Sequence, residues 1–338
     1  MQRKRIYIAY TGGTIGMRKT IDGYAPAAGF LAEQIAAMAE LADPNMPEYT
    51  IHEYDPLLDS ANMTPDNWLL IASDLIEHYV EYDGFIVLHG TDTMAYTASA
   101  LAFMLEGLSK PVILTGSQIP LCELRNDGRG NLITALLIAA NYPVPEVTLY
   151  FGTQLLRGCR AVKVDADGLD AFISPRLPPL GIAGTRIEIN WPLVRRPGPG
   201  IPLSVRPLRS IYVGALRLFP GITAQVLRNT LRPPLEGLVL EAYGVGNGPD
   251  RDPDFLRALQ EASERGVIIV VCTQCLRGKV SLSDYAAGSA LAKAGVISGG
   301  DMTAEAALAK LFYLLSAGHP PAVVKREMTR DLRGELSP

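Results

Sequence analysis

Residues 84–105 read GFIVLHGTDTMAYTASALAFML. Gly84 to Leu88 is a short apolar run rich in β-branched and aromatic side chains, as in a strand buried on both faces, and Met94 to Leu105 has the length and spacing of a helix. The link between them is polar and carries Gly90. The same alternation recurs along the chain. Further strand candidates are Ile6 to Tyr10, Pro111 to Leu114, Val147 to Phe151, Ile211 to Leu218, Leu238 to Leu240 and Val267 to Val271. Helical spacing marks Pro65 to Tyr82, Gly130 to Ala140, Asp254 to Arg265 and Ala304 to Leu315. Thr64-Pro65-Asp66 is a helix entry, with a hydroxyl cap, proline at the first helical position and an acid in the first turn. Strands alternating with helices predict an α/β fold, a mainly parallel sheet flanked by helices with ligands at the carboxyl ends of its strands. Residues 191–207, WPLVRRPGPGIPLSVRP, are proline-rich and lack a period. The expected organisation is therefore a larger N-terminal α/β domain over 1–190, a linker over 191–210 and a smaller C-terminal α/β domain over 211–338.

Composition narrows the function classes. The 338 residues are 48% apolar and 20% charged, which is enough to bury a sizeable core, and the formal net charge is −4. No basic block extends beyond Arg3-Lys4-Arg5, so neither nucleic acid nor an anionic membrane is an expected partner. The apolar run after those residues is too short for a secretory signal, and no run is long enough to span a bilayer. Four cysteines (122, 159, 272 and 275) are too few for a disulfide framework, which agrees with a reducing, cytoplasmic setting. A small-molecule partner is the default.

The strand ends carry the chemistry. After Tyr10 comes TGGTIG, after Leu88 HGTDT, after Leu114 TGSQ, and in the second domain YGVGN and CTQC. Any one of these reads as a turn, since Gly, Ser, Thr and Asp favour turns; three hydroxyl-bearing ends in one domain also fit a polar pocket. A dinucleotide fingerprint would need glycine where Thr11 stands, and a Walker loop would need Gly-Lys-Ser/Thr where Gly16-Met17-Arg18 stands, so phosphate binding is disfavoured. Taken alone, TGGTIG reads first as a turn returning to a strand. The alternative is that its glycines expose Thr14 as a nucleophile, a weak one that requires a base and oxyanion donors.

Histidine is scarce: His52, His78, His89 and His319 are the full set. His78 falls in a surface helix, and His89, the one near a predicted strand end, reads as a half-buried structural residue. No Gly-x-Ser-x-Gly elbow is present. A partly desolvated lysine beside a carboxylate is the remaining proton carrier, which draws attention to Lys163 and Asp92. Cys272-Thr273-Gln274-Cys275 lacks a second pair of ligands, so structural or pocket-lining thiols are favoured over zinc or redox chemistry. No metal or cofactor is expected.

Together the motifs AYTGGTIGM, IHEYDPLLDS, MTPDNW, FIVLHGTDTMAYTASAL, PVILTGSQIP, DADGLDAF, YGVGN and TQC, in this order from residue 7 to about 275, resemble the bacterial cytoplasmic type I L-asparaginases. The resemblance implies a two-domain hydrolase that converts L-asparagine to L-aspartate and ammonia through an acyl-threonine. It implies that Thr14 is the nucleophile, that Thr91, Asp92 and Lys163 move protons and activate water, and that Tyr24 lies in a closing segment that positions Thr14. Asp59, Ser60, Thr91, Asp92, Ser117 and Gln118 would hold the substrate. A homodimer or homotetramer is also implied, with little glutaminase activity, because one extra methylene misplaces the amide.

The pattern departs from the family at a second, regulatory asparagine site. Where the resemblance implies a threonine and an arginine, this chain has Val162 and Glu241, although Thr273 and Cys275 remain. A lost hydroxyl and a reversed charge imply weak or absent activation by asparagine. Two alternatives are the amidase subunit of a tRNA-dependent amidotransferase, which carries an added domain ahead of its TGGT motif where only ten residues precede it here, and a non-catalytic amino-acid-binding module, which should lack one of Thr14, Thr91, Asp92 and Lys163. A periplasmic relative would need a signal peptide.

Overall fold

A computed structural model describes residues 3–196 and 201–337. They form two compact units, divided between Val205 and Arg206. In the first unit the strands are β1 (Arg5–Tyr10), β2 (Met17–Thr20), β3 (Gly23–Pro26), β4 (Glu48–Glu53), β5 (Gly84–Leu88), β6 (Val112–Thr115), β7 (Val147–Phe151), β8 (Gln154–Arg157), β9 (Val162–Lys163), β10 (Phe172–Ile173), β11 (Gly181–Ala183) and β12 (Ile187–Ile189). Its helices are α1 (Phe30–Ala36), α2 (Pro65–Glu77), α3 (Met94–Met104) and α4 (Gly128–Asn141). The second unit has β13 (Val213–Arg217), β14 (Gly237–Ala242), β15 (Ile268–Thr273) and β16 (Ile297–Ser298), with α5 (Ala224–Thr230), α6 (Pro253–Glu264), α7 (Ala286–Lys293), α8 (Ala304–Ser316) and α9 (Pro321–Met328).

The large sheet runs β12-β11-β8-β7-β6-β5-β1-β4. Strands β4, β1, β5, β6 and β7 are parallel, and β8, β11 and β12 continue antiparallel. The chain passes from β1 to β4 on one side and then to β5 on the other, so the order reverses at β1, the place where open α/β sheets leave a crevice. Alternate side chains of β1 serve opposite faces. Ile6, Ile8 and Tyr10 join the core with Leu31, Ile35, Leu132 and Leu136 of α1 and α4, while Tyr7 turns to α2 and donates its hydroxyl to Asp74 at 2.7 Å. The second unit is a parallel sheet in the order β13-β14-β15-β16.

Local sequence explains the main helices. Every residue of α3 except Tyr96 is buried, matching its all-round apolar composition. Thr64 starts α2: its N–H and hydroxyl both donate to Asn67 Oδ1, at 2.8 and 2.9 Å. α2 stops at Glu77 rather than running on to Tyr82, because the chain must turn back to enter β5. Tyr82 packs edge-on against Tyr7, with centroids 5.2 Å apart, and Asp83 accepts from Arg5 N and Lys4 Nζ, each at 2.9 Å. β4, the β2–β3 hairpin and the short β8, β11 and β12 were not legible as strands. β4 is an edge strand, EYTIHE, whose residues alternate between exposed and half-buried, so it lacks an apolar run.

The proline-rich stretch is anchored at both described ends. Leu193 O accepts from Arg157 at 2.6 Å, Arg195 N donates to Glu146 at 2.7 Å, and Ser204 bridges to Glu106. The expected linker over 191–210 includes 197–200, which lie outside the described residues. In the second unit, DLRGEL closes over α8. Lys310 and Glu335 are fully buried and 2.6 Å apart; the ammonium also donates to Met328 O and Arg330 O, and the carboxylate accepts from Leu332 N and Arg333 N.

Because removing one partner of a buried pair strands the other charge, Lys310→Met should cost about 3–5 kcal/mol of stability, read as a lower urea midpoint for the second unit.

Candidate active site

Four adjacent parallel strands, β6-β5-β1-β4, end side by side, and each end delivers expected site residues: Ser117 and Gln118, Thr91 and Asp92, Thr14, and Asp59 and Ser60. Hydroxyls staple the ends together. Thr11 donates through N–H and Oγ1 to Leu88 O, at 3.0 and 2.9 Å, and Thr115 Oγ1 donates to Tyr150 O at 2.8 Å. Thr93 Oγ1 donates to Ser60 O at 2.7 Å, tying the β5 loop to the β4 loop.

Beyond the staples the loops approach closely, backbone to backbone at Gly12 and Gly13 and backbone to side chain at Gly90. A Cβ on Gly12 would sit 2.1 Å from Leu58 O, one on Gly13 2.5 Å from Gly90 N, and one on Gly90 2.4 Å from Ser60 Oγ. Gly12 and Gly13 also have φ of 135° and 93°, in the region that favours glycine. The residues that follow Gly13 and Gly90 are Thr14 and Thr91, so their contact places the two threonines on neighbouring loops. Thr14 is half-buried and opens a single 3₁₀ turn, Thr14–Gly16, that leads into the β2–β3 hairpin. The turn is fixed by Gly16 N donating to Gly13 O at 3.2 Å and by Leu121 N donating to Ile15 O at 3.1 Å.

Lys163, on β9, reaches the end of β5. Its ammonium donates to Thr91 Oγ1 at 2.9 Å and to Asp92 Oδ1 at 2.8 Å. The direction of the next bond follows from Gln118, whose Nε2 donates to two carbonyls, Ala166 O at 3.1 Å and Gly168 O at 3.2 Å. Its Oε1 is therefore the face that meets Thr91, and Thr91 Oγ1 donates to it at 3.1 Å. Proton donation runs one way, from lysine to threonine to amide to backbone. Thr91 is buried while the Asp92 side chain is 65% exposed, which leaves Asp92 open at the rim.

The remaining expected residues divide. Ser117 Oγ is buried and finds no partner among the described residues, a costly state unless a bound group satisfies it. Asp59 is exposed at the rim and already accepts from Ala61 N and Asn62 Nδ2, at 3.2 and 2.9 Å. Tyr24, on β3, is 45% exposed and donates to Glu123 Oε1 at 2.7 Å; that carboxylate raises the phenol above its ordinary pKa. Val162 precedes Lys163 on β9. In the second unit Glu241 is paired across the sheet with Arg217, at 3.3 Å, and Thr273 Oγ1 accepts from Cys275 N at 3.0 Å.

The histidines are set apart from this chemistry. His89 is wholly buried rather than half-buried, and desolvation, partly offset by a bond to Gly90 O, pushes it down to about 4. Trp68 Nε1 donates to Thr97 Oγ1 at 3.2 Å, which leaves the threonine proton for His89 Nε2 at 3.0 Å and makes Nδ1 the donor to Gly90 O at 2.7 Å. It is a neutral brace. His78 caps the end of α2 instead of lying within it. His52 also lies near a strand end, one residue from the end of β4, where it meets Tyr7 and Asp74.

Sequence reasoning missed the supports. The Asp127 carboxylate accepts from Gln118 N at 2.9 Å and Ile119 N at 3.0 Å, and Asn131 Nδ2 donates to Gly116 O at 3.0 Å. Asp165 accepts from Asp167 N and Gly168 N, which lower its pKa and fold the turn that presents carbonyls to Gln118. An Asp-Gly at the start of α4 was the readable signal for Asp127; the role of Asp165 depends on a long-range contact. Among the described residues no group of His, Cys, Asp and Glu is arranged to hold a metal, and no helix is long and apolar enough to cross a membrane.

Comparison with known proteins gives the same picture along the whole chain. Residues 5–195 match the family described as Asparaginase, N-terminal, and residues 212–328 match the Glutaminase/Asparaginase C-terminal domain. L-asparaginase 1 of Escherichia coli K12 is 56% identical over 339 residues, covering 100% of this chain and 99% of that protein. The crystal structure of L-asparaginase I from Vibrio cholerae superposes with a TM-score of 0.92 at 55% identity, covering 99% of each chain. The thermostable L-asparaginase from Thermococcus kodakarensis gives 0.89 at 35%, again over 99% of each.

With its φ of 93° and the Gly90 backbone in the way, Gly13→Ala should leave a folded protein whose turnover falls roughly 10²-fold, since small displacements of a reacting group carry penalties of that order. Circular dichroism and steady-state rates measured on the same preparation check both halves.

Proposed function

This chain belongs to the asparaginase family, and on that premise we propose that it hydrolyses the side-chain amide of L-asparagine to give L-aspartate and ammonia. The observation that carries the reading is the Lys163–Thr91–Asp92 cluster, set across the Gly13–Gly90 contact from Thr14, in a chain similar over its whole length to asparaginases.

Thr14 Oγ attacks the amide carbon, and the C–N bond breaks as the hydroxyl proton passes to the leaving nitrogen, which departs as ammonia. The acyl-threonine ester is then attacked by water; the new C–O bond forms, the ester bond breaks, and the proton returns to Thr14 while aspartate leaves. Lys163 holds Thr91 so that its oxygen keeps a free lone pair, which orients the incoming water. The fixed charges of the substrate are met by Asp92 and Asp59 on the ammonium side and by the neutral hydroxyl donors of Ser60 and Ser117 on the carboxylate side, while Gln118, whose donors are already spent, lines the site and holds Thr91. The buried, unpartnered Ser117 hydroxyl supports this, because a ligand oxygen would relieve a desolvation cost of about 1–3 kcal/mol. Little glutaminase activity follows from the added methylene, and the family reading carries a cytoplasmic homodimer or homotetramer.

Of the two positions at which the resemblance implies effector contacts, Glu241 in the second unit has its carboxylate engaged by Arg217, and Val162 in the first unit offers no hydroxyl. Asparagine activation is therefore weak or absent.

Ammonia release from asparagine and glutamine should be fast only with asparagine, and Thr14→Ala should lower it roughly 10³-fold or more; near-normal turnover in that variant would refute the acyl-threonine. The rate curve for asparagine should be hyperbolic, with a Hill coefficient of about one, and a clearly sigmoidal curve would restore a working effector site.

A further inference from the structure

The β2–β3 hairpin starts at Met17, directly after the turn that carries Thr14. It is fastened to one segment, Leu121–Glu123, by three bonds. Leu121 N donates to Ile15 O at 3.1 Å, Cys122 Sγ donates to Met17 O at 3.6 Å, and Tyr24 Oη donates to Glu123 Oε1 at 2.7 Å. The first two lie at the root of the hairpin, and the third holds its returning strand. Beyond that bond little restrains it: Ile21 at the tip is fully exposed, and the Cα of Gly23 faces open space.

The segment that receives the hairpin is itself stiff. Asn126 Nδ2 donates to Leu121 O at 3.1 Å and to Glu123 O at 2.7 Å, and the next residue, Asp127, holds the N–H groups of Gln118 and Ile119. One short piece of chain thus braces the Gln118 loop and grips the hairpin that leads out of Thr14.

We propose that Glu123 is a positioning residue: through Tyr24 it latches the β2–β3 hairpin and so fixes where Thr14 stands. Its effect on turnover rests on the reading of Thr14 as nucleophile; the latch itself does not.

Glu123→Ala, Glu123→Gln, Tyr24→Phe and the double variant Tyr24→Phe/Glu123→Ala are compared with wild type. The hairpin is read by tryptic cleavage after Arg18 and Lys19, which are exposed on β2, and turnover by ammonia release from asparagine. Glu123→Ala and Tyr24→Phe should each speed cleavage about fivefold, the scale of one part-exposed bond to a carboxylate. The double variant should be no faster than either, because both remove the same interaction. Glu123→Gln keeps an oxygen for the phenol proton and should stay within about twofold of wild type on both readouts. In Glu123→Ala the loss should fall on kcat more than on KM, since the substrate-holding groups are untouched.

Cleavage at the wild-type rate in Glu123→Ala, or additive effects in the double variant, overturns the latch. Faster cleavage with unchanged kcat overturns the positioning role, as does Glu123→Gln losing as much turnover as Glu123→Ala. A wild-type protein that releases no ammonia from asparagine defeats the functional reading instead, and cleavage rates then decide the latch alone.

Discussion

The close approach of backbone to backbone at the strand ends governs the rest of the molecule. Gly12 against Leu58, and Gly13 against Gly90, bring the β1, β4 and β5 loops nearer than any side chain would permit. That proximity brings polar residues from separate strands together at one edge of the sheet. The sheet supplies the alignment, because the strands concerned are parallel and adjacent and so end at one edge. The reversal of strand order at β1 opens the crevice there. Behind the edge lies α3, buried at every residue but Tyr96.

The sequence revealed much of this, for identifiable reasons. Buried parallel strands are continuous apolar runs, so β5, β7 and most of β1 declared themselves. Edge and connecting strands did not: β4 alternates weakly, and β8, β11 and β12 are short and depend on antiparallel neighbours. The glycine and hydroxyl clusters pointed to the site, yet TGGTIG by itself favoured a turn, and in the structure it is one, with Thr14 at its start. Local sequence cannot separate those readings, because the same conformational freedom serves both. What was not legible is the supporting shell. Glu123 meets a partner 99 residues away, and the turn that Asp165 folds matters only because Gln118, distant in sequence, docks on it; for Asp127 the Asp-Gly at the start of α4 was the one local signal.

The electrostatics of the pocket are sparse. His89 sits beneath the site, but burial keeps it uncharged against the opposing effect of its bond to Gly90 O, so it shapes the loop without contributing a charge there. The cation is Lys163, and its counter-charge, Asp92, is at the rim rather than in the interior. A zwitterionic ligand entering beside Asp92 would compete for a carboxylate that the lysine already holds. In the proposed reaction, binding and proton handling would then meet at the Asp92 carboxylate.

The amide of Gln118 has a consequence that reaches past its own contacts. Two carbonyls hold its nitrogen, so the group cannot rotate by half a turn without losing both. The sense of the Thr91–Gln118 bond is thus written in the peptide units of a surface turn, which the Asp165 carboxylate folds. Thr91 donates toward the amide while it accepts from the lysine. The orientation of the amide is stored in backbone geometry, and a shift of that turn would free the amide to present its nitrogen to Thr91 instead.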